Sequence, residues 1–135
     1  MSATATPPNA AAEGLTERFD PISCLDDRVR RRAAPNREAL APGRYLEVHG
    51  PDSTVTIPFD DAILRVGRGH AADLRLDEPS VSRRHAILEG GPHPRILDDR
   101  SSNGTFVNGR RVEQASLRHG DEIALGRVVL RYVEI

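Results

Sequence analysis

"FVNGRRV", residues 106–112, places an Asn-Gly pair between two short runs that carry Phe and Val. A type I′ turn needs positive φ at both central residues, and Asn and Gly tolerate that conformation best, so Asn108 and Gly109 predict a tight hairpin. The same texture extends outward. "DEIAL" (121–125) and "RVVLRYVEI" (127–135) follow the hairpin, and "HGDEI" resembles a second tight turn. Before it come "YLEVHG", "STVTIPF", "AILRVG", "ADLRL", "HAILEG", "PRILDD" and "GTFVNG", each short and broken by Gly, Pro or Asp. Alternation puts Leu46 with Val48 on one face, and Val55, Ile57 and Phe59 on another. Short alternating runs at this spacing predict an antiparallel β-sandwich or barrel.

Composition narrows the function. The chain has 135 residues, 38% hydrophobic and only 4% aromatic, so its core must be built mostly from Val, Ile and Leu. A formal net charge of −1 argues against a sequence-independent nucleic-acid binder. All 19 basic residues are arginine. Codon usage in a GC-rich genome explains this without function, but it removes lysine chemistry and leaves planar forks suited to phosphate or carboxylate. Cys24 is the sole cysteine and the five histidines are scattered, which predicts no disulfide, no metal and no cofactor. "MSATATPPNAAAEG" has neither a basic start nor an apolar stretch, so it does not read as a signal peptide. No apolar run approaches the ~20 residues of a membrane span. A cytoplasmic protein is expected.

The chemistry concentrates in "VSRRHA", residues 81–86. Ser82 three residues before His85 suggests a nucleophile and its base, with Asp98 or Asp99 as a third member. The G-x-S-x-G elbow is absent, and on a strand residues three apart point to opposite faces. The other reading is anion capture. Gly67-Arg68 ends an apolar strand, Ser82-Arg83 follows the turn-prone "DEPS", and "RSSNGT" (100–105) is a loop of small polar donors. If the three loops met at one end of a sandwich, guanidinium, hydroxyl and amide donors would surround an anion. Charge-assisted bonds of this kind are about twice as strong as neutral ones.

The order Gly67-Arg68, Ser82-Arg83-Arg84-His85, Ser101-Ser102-Asn103-Gly104-Thr105, Val107-Asn108-Gly109 and Gly120-Asp121-Glu122-Ile123 resembles the forkhead-associated (FHA) domain. The match runs over about residues 44–134. The resemblance implies a β-sandwich of eleven strands that binds phosphothreonine peptides through loops at one end and is not an enzyme. It makes Arg68 and Ser82 phosphate ligands and Arg83 a further contact. Ser102 takes the place usually held by Thr or Ser, and Asn103 holds the peptide backbone. His85 becomes a brace rather than a base, and Gly67, Gly104, Asn108 and Gly109 shape the loops. The implied role is phosphorylation-dependent protein–protein interaction in Ser/Thr kinase signalling, with a kinase or its substrate as partner. Two alternatives stand beside it: a scaffold domain indifferent to phosphate, and a hydrolase using Ser82 and His85.

The FHA domain is thus expected over residues 44–135, preceded by a mostly disordered tail over 1–43. After Met1, residues 2–14 lack large apolar side chains. Within the tail, Asp20 is a plausible N-cap and Pro21 suits the first helical position, so a short helix is predicted over 21–33 with Ile22, Leu25 and Val29 on one face. Arg30, Arg31 and Arg32 sit at its cation-favouring end and Pro35 stops it. "RVRRR" could form a nucleic-acid patch, but Asp20, Asp26 and Asp27 offset it. Thr4, Thr6 and Thr16 are candidate phosphorylation sites, which would let the tail serve as the domain's own ligand. Thr16 is preferred, because Phe19 three residues later would fill an apolar notch.

Overall fold

The Asn-Gly pair forms its hairpin. Asn108 has φ 52° and Gly109 φ 81°, both in the left-handed region that the turn requires. The hairpin joins β7 (Thr105–Val107) to β8 (Arg110–Val112) with Val107 facing Arg110. Asn108 also ties the turn to the chain beyond it. Its side-chain amide donates to Asp121 Oδ1 at 2.9 Å, and its Oδ1 accepts from the Glu122 amide at 3.0 Å.

This computed structural model describes residues 19–33, 40–59 and 62–135. The other strands are β1 (Arg44–His49), β2 (Thr54–Pro58), β3 (Ile63–Gly67), β4 (Leu74–Arg75), β5 (Ala86–Glu89), β6 (Arg95–Asp98), β9 (Gln114–Ser116), β10 (Glu122–Leu125) and β11 (Val128–Glu134). They form a six-stranded sheet in the order β2-β1-β11-β10-β7-β8 and a five-stranded sheet in the order β4-β3-β5-β6-β9. The eleven strands make the expected sandwich. One pair departs from antiparallel: β4 lies parallel to β3, with Val66 opposite Leu74. β4 reaches β3 by a loop instead of a hairpin, and that loop belongs to the candidate site.

The core is aliphatic, as composition requires. Leu46, Val48, Ile57, Leu64, Val66, Leu74, Leu88, Ile96, Ile123, Leu125 and Leu130 are buried in it. The main aromatic contact is an edge-to-face pair, Phe59 on Tyr132, with ring centroids 6.1 Å apart.

Two elements replace the single helix predicted over 21–33. A 3₁₀ turn spans Pro21–Cys24, capped by Asp20, whose Oδ1 accepts from the Ile22 amide at 3.0 Å. A six-residue helix, α1, spans Asp27–Arg32, capped by Asp26 on the Val29 amide at 3.0 Å. Leu25 between them is extended, with φ −76° and ψ 135°, and forms a β-bridge with Leu76. That bridge breaks the helix: Leu25 cannot pair with a strand edge and also continue helical hydrogen bonding. Arg30 spans the break, donating to Leu25 O and to Ile22 O, which also accepts the Leu25 amide, each at 3.0 Å from the guanidinium. Leu25 and Val29 are buried in the sandwich core, with Ile22 packed against it. Cys24 is a buried free thiol. Thr4, Thr6 and Thr16 lie outside the described residues, as does Pro35.

Candidate functional site

Three loops at one end of the five-stranded sheet carry the singled-out residues. The first leaves β3 at Gly67. The second joins β4 to β5, and the third joins β6 to β7. Gly67 lets the first two come together. A Cβ there would collide with the Arg83 carbonyl oxygen, so a side chain would force the second loop away. The loops are stitched by main chain: the Arg68 amide donates to Ser82 O at 2.9 Å and Gly69 to Arg83 O at 3.1 Å.

Arg68 is half-buried. Its Nε donates to Val81 O at 3.0 Å, which aims the guanidinium, and its terminal nitrogens have no partner among the described residues. Ser82 Oγ accepts from the Ser102 amide at 2.9 Å, joining the second loop to the third. Asn103 donates from Nδ2 to Ser80 O at 3.1 Å and is otherwise exposed. Arg83 is exposed, with no side-chain partner among the described residues. Arg84 instead forms a two-pronged pair with Asp99, Nε to Oδ2 at 3.1 Å and Nη2 to Oδ1 at 3.3 Å. So Arg68, Ser82, Ser102 and Asn103 lie in directly linked loops, with Arg83 next in the chain.

His85 is fully buried. Its Nδ1 accepts from the Ser82 amide at 3.0 Å, and its Nε2 lies 2.9 Å from Gly104 O. An acceptor at Nδ1 fixes the proton on Nε2, which then donates to that carbonyl. Both ring nitrogens are committed to main chain, and neither meets the Ser82 hydroxyl. His85 thus joins the second loop to the third. Gly104, buried at φ 95°, completes the arrangement.

Two carboxylates hold these loops: Glu78, which the sequence reading did not single out, and Asp98, which it named only as a possible third member beside Ser82 and His85. Asp98 accepts from the Ser101 amide at 3.2 Å, from Thr105 Oγ1 at 2.7 Å and from the Ser101 hydroxyl. Burial pushes its carboxyl up, but those hydrogen bonds prevail and hold it below the ordinary aspartate value. Glu78, buried under the second loop, accepts from the Ser80 amide at 2.8 Å and from its hydroxyl. Burial again pushes upward, and the Ser80 bonds together with the Arg127 charge hold Glu78 below the ordinary glutamate value. The sequence signals were a carboxylate two residues before Ser80, and one three before Ser101, at turn-prone positions.

Among the described residues no group of His, Cys, Asp and Glu is placed to hold a metal ion, and no helix is long and apolar enough to cross a membrane.

The FHA domain family model matches residues 64–126, which contain every one of these loops. The chain belongs to the FHA domain family. The FHA domain is 31% identical to the oxoglutarate dehydrogenase inhibitor of Corynebacterium jeikeium, covering 98% of this chain and 96% of that protein. It is 39% identical to the glycogen accumulation regulator GarA of Mycobacterium tuberculosis, over 71% of this chain and 61% of GarA. An ABC transporter ATP-binding/permease protein of M. tuberculosis is 34% identical over 97% of this chain, yet the chain spans only 13% of its length. Among solved structures, an FHA domain described in terms of phosphothreonine-dependent interactions superposes with a TM-score of 0.63 at 30% identity, over 68% of this chain and 96% of that one. The family is one of binding modules.

Proposed function

We propose that this FHA domain binds phosphothreonine peptides and has no catalytic activity of its own. The observation that carries the reading is the linkage of the three loops. Ser82 accepting from Ser102, Arg68 anchored on Val81 and Asn103 anchored on Ser80 bring cation, hydroxyl and amide donors together, with the Arg68 terminal nitrogens unpartnered among the described residues. A phosphothreonine brings roughly −1.5 to −2 charges and three acceptor oxygens, which such donors match. In this reading Arg68, Ser82, Arg83 and Ser102 contact phosphate, and Asn103 holds the peptide backbone through the amide and carbonyl it leaves toward solvent. The setting we infer is Ser/Thr kinase signalling in the cytoplasm, with a kinase or kinase substrate as partner. A tail phosphorylated at Thr16, Thr4 or Thr6 would be a self-ligand. Phe19, however, lies beneath the Arg127 guanidinium at 3.9 Å, so filling a notch at the ligand site would require it to leave that contact.

The reading extends to the ligand's flank. A cavity of about 430 Å³ adjoins the site between Arg83 and the first loop, with Val66 and Ala72 among its apolar walls. Arg65, His70, Arg83 and Arg84 rim it, and its one acid, Asp99, is already held by Arg84. Charge complementarity favours an acidic side chain near the phosphothreonine.

A peptide pool with fixed central phosphothreonine and degenerate flanks tests both parts. Retention of the phosphorylated pool, loss on dephosphorylation, and enrichment of Asp or Glu at one flanking position are expected. Equal retention of both pools would favour the phosphate-indifferent scaffold. Ester hydrolysis abolished by Ser82→Ala would favour the hydrolase, against the commitment of both His85 nitrogens to main chain.

A further inference from the structure

Residues Phe19–Ala33 precede the stretch that matches the family model, yet they touch two of the site's loops from behind. Arg28 Nη2 donates to Ala72 O at 3.0 Å, at the end of the first loop. Cys24 O accepts from the Asp77 amide at 2.9 Å, and Leu25 bridges to Leu76, at the start of the second. Phe19 lies under Arg127 at 3.9 Å. The Arg127 amide in turn donates to Ser80 Oγ at 2.8 Å, and its guanidinium lies 3.9 Å from Glu78.

The contact through Phe19 and Arg127 leads to Ser80. Its hydroxyl faces the Arg127 amide and Glu78, and its carbonyl receives Asn103 Nδ2. The next carbonyl along, that of Val81, receives Arg68 Nε. Ser80, which meets the N-terminal segment through Arg127, carries one of the carbonyls that aim Asn103 and Arg68 and precedes the other, while Leu76 and Asp77, which touch the segment directly, lie three to five residues before them. Energetic coupling of this kind needs a contiguous set of packed and hydrogen-bonded groups, and these contacts form one.

We propose that Phe19–Ala33 is a built-in brace of the ligand site, and that Phe19, Arg127 and Ser80 are positioning residues that set Asn103 and Arg68. The proposal rests on the phosphopeptide reading for its affinity readout and on geometry alone for its spectroscopic one. Losing the brace lets the second loop shift, and Asn103 loses the carbonyl that orients its amide.

The test uses the full chain with Phe19→Ala, Phe19→Tyr, Ser80→Ala and the Phe19→Ala/Ser80→Ala double variant. None of these residues is in the candidate phosphate cradle, and both positions are partly solvent-accessible, so the fold should persist. Arg28→Ala supplies an independent break. The probe is the degenerate phosphothreonine pool, and the second readout is the side-chain amide resonance pair of Asn103 in the free protein. Phe19→Ala and Ser80→Ala should weaken binding about two- to thirtyfold and move the Asn103 resonances. Phe19→Tyr, which keeps a ring under Arg127, should restore both, and the double variant should lose less than the product of the single losses. Wild-type affinity together with unmoved Asn103 resonances in Phe19→Ala, Ser80→Ala and Arg28→Ala would overturn the brace. If the wild-type chain ignores the pool altogether, the phosphopeptide reading fails. The Asn103 resonances then decide alone: movement supports the brace, and its absence overturns it.

Discussion

Arg68 and His85 sit in the same three-loop cluster but answer to different physics. Arg68 commits one nitrogen to Val81, and its others have no partner among the described residues. Arg68→Ala should therefore cost about 2–5 kcal/mol of peptide binding, thirtyfold or more, and little stability. His85 is fully buried, with both nitrogens on main chain. His85→Ala orphans the Ser82 amide and the Gly104 carbonyl, so it should cost about 2–4 kcal/mol of stability. Titration calorimetry and denaturant midpoints on both variants separate the two. If His85→Ala kept wild-type stability but lost binding, the brace assignment would be wrong. Both residues stood out in the sequence because Gly-Arg and S-R-R-H are distinctive strings. Glu78 and Ser80 did not, and Asp98 entered only as a possible third member beside Ser82 and His85, since a carboxylate near a serine in a turn has many partners available, and only loop closure selects one.

At the scale of elements, local and non-local control part company. The β7–β8 hairpin was legible because the turn geometry belongs to Asn108 and Gly109 themselves. The helix predicted over 21–33 had good local signals too: an N-cap at Asp20, Pro21 and an apolar face. It divides into a 3₁₀ turn and α1 because Leu25 pairs with Leu76, 51 positions later in a chain whose periodicity says nothing of that partner. Helices this short are marginal alone, so a single tertiary bridge outweighs propensity. Leu25 is buried in the sandwich core although it precedes the family match. Leu25→Ala should destabilise the whole domain by about 2–5 kcal/mol, as core truncations do. A melt in which Leu25→Ala matched wild type would show that the segment adds nothing to the core.

Across the whole molecule, pH should act in two separate steps. The second ionisation of a phosphothreonine lies near 6, so affinity should weaken first as pH falls below about 6, with the fold intact. Glu78 and Asp98 both have folded values held below their ordinary ones. Such groups stabilise the native state fully above their unfolded values, and the contribution drains away as pH falls through the folded values, from about pH 5 downward. Stability should then drop on acidification, and Glu78→Gln or Asp98→Asn should flatten that acid limb in denaturant titrations. An unchanged limb in both variants would remove these carboxylates from the account. Covalent neighbours alone determined the strand texture, the Asn-Gly turn, the all-arginine charge and the spacing of the motifs, because alternation and turn conformation are set within a few residues. Tertiary structure decided the parallel β3–β4 pairing, the broken helix docked behind the site and the choice of loop anchors. The bonds that build the site join Ser82 to Ser102, Ser80 to Asn103 and Ser80 to Arg127 across 20, 23 and 47 positions. No local pattern encodes such distances; two packed sheets do, by bringing the loop ends of distant strands to one rim.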